Sequence, residues 1–196
     1  MNIANMLTLF RIILAPIFLI IYLLPNLSAS WAIPVLWIIF IVSEITDYFD
    51  GFAARKLNQI SDFGKFFDPF ADTLVQITYF LCFLIDGIWG GGLLPVILFL
   101  IVVYREFGIL FLRNLMLKKG VALGARMGGK IKTVVYIIAA GAALLAASFE
   151  RLAVCNELLP YLKIAAFIIF TVSAAIAVIS FLDYIIVYRK TKNAER

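Results

Sequence analysis

The chain reads as an all-α integral membrane protein: six transmembrane helices, a short interfacial helix at the N-terminus, and both termini on the cytoplasmic side. Three observations predict this. Hydrophobic residues make up 64% of the 196 and charged residues only 15%, against about 25% charged in a typical soluble domain. Mean hydropathy is +1.06, and the apolar residues fall in long runs separated by polar turns. Finally, lysine and arginine crowd residues 55–65, 113–132 and 189–196, whereas only Arg151 and Lys163 lie near the alternate turns. Cytoplasmic loops carry the Lys/Arg excess, which sets the orientation.

The elements follow in order. Residues 1–8 are mildly amphipathic and are expected to lie along the interface; they lack the basic start of a cleavable signal peptide. The first span covers about residues 7–24, with Arg11 near its start and Pro16 inside, where a kink is expected. Residues 25–30 make a polar outer turn, and Trp31 marks the interface where the second span begins. That span runs to Val42, and its helix is expected to continue through residues 43–55. A short polar connection over 56–65 leads to the third span, 66–85, with Asp68 and Asp72 in its first turns. Residues 86–92, with Trp89 and three consecutive glycines, read as an outer turn.

The fourth span starts near Leu93 and embeds Arg105 and Glu106. Residues 118–132 read as a basic, glycine-rich inner loop before the fifth span, 134–149, and residues 150–157 as an outer loop. The sixth span includes 164–182, nineteen residues without a charge, and ends in the basic tail 188–196. Some of these runs are shorter than the roughly 20 residues that cross a bilayer. The 12-residue run 31–42 alone would also suit a buried soluble helix, but six such runs with alternating charge point to a membrane. One membrane domain, residues 1–196, accounts for the whole length.

The charge of +5 is matched by anionic lipid headgroups, and no nucleic-acid partner is expected. Cys82 and Cys155 stand 73 residues apart without a CxxC spacing and read as apolar filler. Histidine is absent. That excludes a phosphohistidine intermediate, a histidine base and histidine-ligated zinc, leaving oxygen ligands and hard cations such as Mg²⁺ or Mn²⁺.

The chemistry concentrates in residues 47–72, DYFDGFAARKLNQISDFGKFFDPFAD. Asp47 and Asp50 stand three apart and Asp68 and Asp72 four apart, so on helices each pair shares a face. Four carboxylates at a bilayer edge repel one another and resist desolvation, so a cation belongs among them. Helix capping would explain Asp68, which precedes Pro69 at the expected start of a span. It does not explain Asp47 and Asp50, which sit where carboxylates oppose the macrodipole. Asp62 reads as a solvated turn residue. Gly51, Ala53 and Ala54 keep the next turn thin, either for a bulky ligand or for helix packing. Arg55, about one turn further, has the reach for a phosphate.

This stretch resembles, without a gap, the signature of the CDP-alcohol phosphotransferase family, D-x2-D-G-x2-A-R-x8-G-x3-D-x3-D. The matching positions are Asp47, Asp50, Gly51, Ala54, Arg55, Gly64, Asp68 and Asp72. The resemblance implies a six-helix membrane fold and a cleft on the cytoplasmic side. There an alcohol attacks the lipid-proximal phosphorus of a CDP-linked lipid and releases CMP. It implies two divalent ions, Mg²⁺ or Mn²⁺, held by Asp47, Asp50, Asp68 and Asp72. It further implies Asp72 as the base that takes the alcohol proton, Gly51, Ala54 and Arg55 as part of the CDP site, and a homodimer.

Beyond the signature, the chain is similar to the branch of the family that makes phosphatidylglycerophosphate from CDP-diacylglycerol and sn-glycerol 3-phosphate. The similarity lies in Asn2-Ile3-Ala4-Asn5 with Leu7, Thr8 and Arg11, in Arg105-Glu106 with Arg113, and in residues 129–133. A phosphorylated acceptor needs cations, and Arg105, Arg113, Arg126, Lys130 and Lys132 are the candidates. Arg105 and Arg113 stand eight apart, about two turns and roughly 80° around a helix. The alternative for Arg105 is a structural pair with Glu106; for Lys118 and Lys119 it is attraction to the lipid surface.

This chain has Ala4 where proline is common and Thr73 where a lysine commonly follows the last aspartate. Glu44, one turn before Asp47, reads as either a group that holds a metal-binding carboxylate in place or one that orients water. Other acceptors within the family (inositol phosphate, serine or a lipid alcohol) remain alternatives, as does a transporter lined by acidic residues. The bacterial inner membrane is the expected location.

Overall fold

The computed structural model describes residues 3–24, 28–56, 62–118 and 127–194. For some of these, residues 48–56 and Lys130 among them, the description is of backbone alone. The chain forms α1 (Ile3–Leu23), α2 (Ala29–Lys56), α3 (Asp62–Ile85), α4 (Leu93–Lys118), α5 (Met127–Leu152) and α6 (Leu159–Ala194). Among the described residues there is no strand. Each helix contains a segment long and apolar enough to cross a membrane. In lipid the backbone must satisfy its own hydrogen bonds, which leaves the helix as the choice for such runs.

The expected spans all appear, with three corrections. The described part of the expected interfacial segment, residues 3–8, is not a helix of its own: α1 is continuous from Ile3 and passes Pro16 unbroken. Residues 127–132, expected in the inner loop, are the first turns of α5, where Thr133 Oγ1 donates to the Gly129 carbonyl at 3.2 Å. Asp68 and Pro69 lie in the second turn of α3, which begins at Asp62, so Asp68 is no helix cap and Asp62 is a helical residue. As expected, α2 carries Asp47–Arg55 on its final turns. The α3–α4 turn uses Gly87, Gly90 and Gly92 at φ of 69°, 81° and 102°, the left-handed region where a Cβ is strained.

The six helices pack as two groups of three. α1 lies on α2 and α3, while α4 and α5 lie on α6; α3 meets α4 and α5, and α2 meets α5, to join the groups. The α5–α6 seam is lined by small residues. Ala139, Ala140, Ala143, Ala146 and Ala147 of α5 and Ala166, Ala174 and Ala177 of α6 are all buried. Small side chains let membrane helices approach closely where lipid removes any hydrophobic drive between them.

Aromatic rings fill the middle. Phe18 of α1 meets Tyr79 of α3 at 4.6 Å, and Trp89 stacks on Phe170 of α6 at 3.7 Å with the rings 4° apart. At one end of the bundle Tyr22 donates to Asp86 at 2.8 Å and Arg151 donates to the same carboxylate at 3.0 Å. That clasp joins α1, the end of α3 and α5. The signature aspartates lie at the other end.

Overfilling the α5–α6 seam tests this packing. Ala143→Leu is expected to cost about 1–3 kcal/mol and to lower the midpoint of thermal unfolding in detergent. The same leucine at the exposed Val134 leaves the midpoint unchanged.

Candidate active site

The carboxylate cluster takes its shape from α1. Arg11, three turns before Tyr22 on α1, is 2% exposed and turns inward between α2 and α3. Its Nη1 donates to Asp47 Oδ1 at 2.5 Å and to Asp72 Oδ1 at 2.7 Å. The expected cation among the carboxylates is thus, in the first instance, a residue of the chain. One turn earlier Thr8 Oγ1 donates to Asp68 Oδ1 at 2.8 Å. Three of the four signature aspartates are therefore seen to converge on α1. The fourth, Asp50, lies about one turn past Asp47 on α2; its side chain is outside the described part, as are those of Ala54 and Arg55, and Gly51 is described by its backbone.

Asp72 faces two cavities. The larger, about 170 Å³, lies between the two helix groups and is lined by Asp72 and Thr73 of α3, Arg105, Glu106 and Arg113 of α4, Gly129 and Lys132 of α5, and Tyr184 of α6. Its cations are held in order. Arg105 donates to Glu106 at 2.7 Å and to Ser180 of α6 at 2.9 Å. Lys132 Nζ lies 3.0 Å from the same Glu106 oxygen and 4.4 Å from the centre of the Tyr136 ring. Arg113 donates to the Tyr184 hydroxyl at 3.1 Å. Among the described residues of the lining, and apart from Asp72, one carboxylate is thus set against three cations, a surplus of positive charge beside Asp72. Long, restrained cations around a small cavity suit an anion with several oxygens, such as a phosphate.

The smaller cavity, about 20 Å³, lies beyond Asp72 and is lined by Arg11, Ser43, Glu44, Asp47, Gln76 and Lys132, among others. It has room for about one water. Glu44 and Gln76 sit one turn deeper than Asp47 and Asp72 on the same two helices, and Gln76 Oε1 is buried without a hydrogen-bond partner among the described residues.

Five candidates, Asp47, Asp72, Arg105, Arg113 and Lys132, line these two cavities, and Asp68 lies one turn before Asp72 on α3, bonded to Thr8 of α1. Lys130 is on α5 with only its backbone described, and Arg126 lies outside the described residues. Sequence reasoning did not assign Arg11 to the site, although an arginine within an apolar run was the available signal. Tyr184 and Ser180, on the last span, carried no signal. For a metal, the donor set is all oxygen, without histidine, and Asp47 and Asp72 already share one cationic centre. This suits a hard divalent ion. Among the described residues no three ligand-type side chains close around one point.

Residues 1–182 match the sequence model of the CDP-alcohol phosphatidyltransferase family. Over 156 residues the chain is 40% identical to the CDP-diacylglycerol–glycerol-3-phosphate 3-phosphatidyltransferase of Bacillus subtilis, which covers 74% of this chain and 77% of that protein. It is 34% identical over 185 residues to a probable phosphatidylglycerophosphate synthase of Mycobacterium tuberculosis, covering 94% and 80%. A protein of Treponema pallidum with the same name as the Bacillus one is 44% identical over 100 residues, covering 51% of this chain but only 44% of that protein.

Glu106 is the group on which the cationic wall rests. Glu106→Gln leaves Arg105 and Lys132 short of their buried counter-charge and is expected to cost about 3–5 kcal/mol. Thermal unfolding of the purified variant against wild type checks this; an unchanged midpoint would show that neither cation depends on it.

Proposed function

The chain belongs to the CDP-alcohol phosphatidyltransferase family, and from that premise we propose that it transfers a phosphatidyl group from CDP-diacylglycerol to sn-glycerol 3-phosphate. The products are phosphatidylglycerophosphate and CMP, a step of phospholipid biosynthesis. One observation carries the choice of acceptor: Asp72 opens, with a side chain 45% exposed, onto the cavity that Arg105, Arg113 and Lys132 line. A carboxylate able to take a proton and cations able to hold a phosphate thus face the same space.

In the proposed reaction the acceptor phosphate rests against Arg113 and Lys132, with Arg105 held behind them by Glu106 and Ser180. This presents a glycerol hydroxyl toward Asp72. Asp72 takes the hydroxyl proton as that oxygen bonds to the lipid-proximal phosphorus. The bond from that phosphorus to the bridging oxygen breaks, and CMP leaves with the electron pair. Gly51, Ala54 and Arg55, on the last turns of α2, hold the CDP moiety, where the absence of bulky side chains at the first two allows close approach.

Asp47, Asp50, Asp68 and Asp72 would hold two divalent ions, Mg²⁺ or Mn²⁺, which neutralise the pyrophosphate and stabilise the charge on departing CMP. Thr73 supplies no cation beside Asp72; it is buried and lines the cavity, and the charge comes instead from α4 and α5. Arg126 and Lys130 are further candidates for the acceptor phosphate by sequence, and the end of the bundle that carries the aspartates faces the cytoplasm by the distribution of lysine and arginine. The protein sits in the bacterial inner membrane, and the functional unit is a homodimer.

Three measurements test this. Purified protein given CDP-diacylglycerol is expected to release CMP with sn-glycerol 3-phosphate and not with inositol phosphate, serine or a lipid alcohol. Preference for another acceptor would retain the family reaction and reject the assignment. Asp72→Asn and excess chelator should each reduce the rate by about 10²-fold or more, the scale of a lost general base; full activity in either would contradict the mechanism. Arg113→Ala should raise KM for glycerol 3-phosphate by about tenfold or more while leaving KM for the lipid within about twofold. Equal effects on both would remove Arg113 from the acceptor site.

A further inference from the structure

The position of Arg11 bears on how the carboxylate cluster is loaded. A single nitrogen, Nη1, lies 2.5 Å from Asp47 Oδ1 and 2.7 Å from Asp72 Oδ1. It sits between α2 and α3 where an ion bridging the two carboxylates would also sit, since Mg²⁺–oxygen distances are about 2.1 Å. A guanidinium and a divalent ion cannot share that space, and their charges repel. Two carboxylates around one guanidinium also leave a net negative charge, so the pair still attracts a second cation.

The neighbouring groups restrict where Arg11 can turn. Lys132 faces the same small cavity but is tied to Glu106 at 3.0 Å. Asp68 accepts from Thr8 one turn away. Glu44 lines the cavity with Arg11, one turn deeper on α2 than Asp47.

We propose that Arg11 competes with the divalent ions for Asp47 and Asp72, and that loading the site turns the Arg11 guanidinium from these two aspartates to Glu44. This rests on the metal-dependent reading above and adds to it a resident counter-ion. Arg11 keeps the carboxylates together and neutralised until a stronger cation replaces it. Glu44 then holds the released charge within the bundle, where an unpaired arginine is costly. Arg11 acts through the two aspartates and is therefore a positioning residue.

The test is Mn²⁺ binding to the purified full-length chain in detergent, followed by the electron paramagnetic resonance of free Mn²⁺, alongside thermal unfolding. Competition predicts that Arg11→Gln binds Mn²⁺ about tenfold more tightly than wild type, the worth of a charge-assisted hydrogen bond, with Arg11→Lys in between. In chelator Arg11→Gln should unfold at a lower temperature than wild type, and saturating Mn²⁺ should close most of the gap. Glu44→Gln should weaken Mn²⁺ binding in the wild-type background and have little effect in Arg11→Gln, a coupling that a double-mutant cycle reads directly.

Weaker or unchanged Mn²⁺ binding in both Arg11 variants would overturn the proposal, and would make Arg11 a permanent clamp. A Glu44 effect of equal size in both backgrounds would overturn the turn toward Glu44. If Arg11→Gln does not fold without metal, both proteins are prepared in Mn²⁺ and compared by competition with a chelator of known affinity. The Arg11→Lys measurement stands in either case. Absence of Mn²⁺ binding by the wild-type chain would overturn the metal reading together with this proposal, whereas binding without the Arg11 dependence would overturn this proposal alone.

Discussion

An aspartate of α2 and an aspartate of α3 meet one arginine nitrogen from α1, at 2.5 and 2.7 Å, and the acidic end of the bundle is arranged around that contact. Carboxylates at the margin of a membrane repel one another and lose much of their hydration, so two helices do not bring them together unaided. Arg11 removes that obstacle. For its side chain to reach both carboxylates, α1 has to run along the groove between α2 and α3, and it packs on both. Thr8 and Asp68 repeat the connection one turn away, so α1 is fixed in register as well as in place.

The second group of helices solves the opposite problem. Arg105, Arg113 and Lys132 would repel one another in a small cavity. A single buried Glu106, 5% exposed, holds two of them, while hydroxyls of Ser180 and Tyr184 engage Arg105 and Arg113 from α6. The result is a half-site that is net negative on α1–α3 and one that is net positive on α4–α6, with Asp72 at their boundary. In the proposed reaction these halves take the CDP-lipid and the phosphorylated alcohol, and the new bond forms where the two groups of helices meet.

Between the two polar ends the bundle is held by shape. Alanines line the α5–α6 seam, and rings from α1, α2, α3 and α6 interlock across the middle. At the far end the Tyr22–Asp86–Arg151 clasp joins α1, α3 and α5. Polar contacts at both ends set how far each helix can slide, and in lipid that matters because apolar surfaces alone specify register weakly.

The helical spans and the reactive stretch were legible without coordinates because both depend on local rules. An apolar run in lipid has little alternative to a helix, and carboxylates three or four residues apart share a face of any helix that contains them. Sequence expectation and structure differ where local and distant signals disagree. Residues 118–132 carry the glycines and lysines of a loop, yet from Met127 onward they are helix. There Lys132 finds Glu106 and the Tyr136 ring, and such tertiary contacts outweigh a weak local preference. Arg11 stands out in the sequence as a charge near the start of a span and as part of the N-terminal similarity, but not as a partner of the aspartates, which stand 36 and 61 residues away. Tyr184, 71 residues from Arg113, gave no sign at all. Composition and apolar runs therefore suffice for six helices, and the resemblance of residues 47–72 to a known signature for the family. Which helices lie side by side, and hence which charges meet, follows from the packing of alanine and aromatic surfaces along the whole bundle, and no local pattern encodes that.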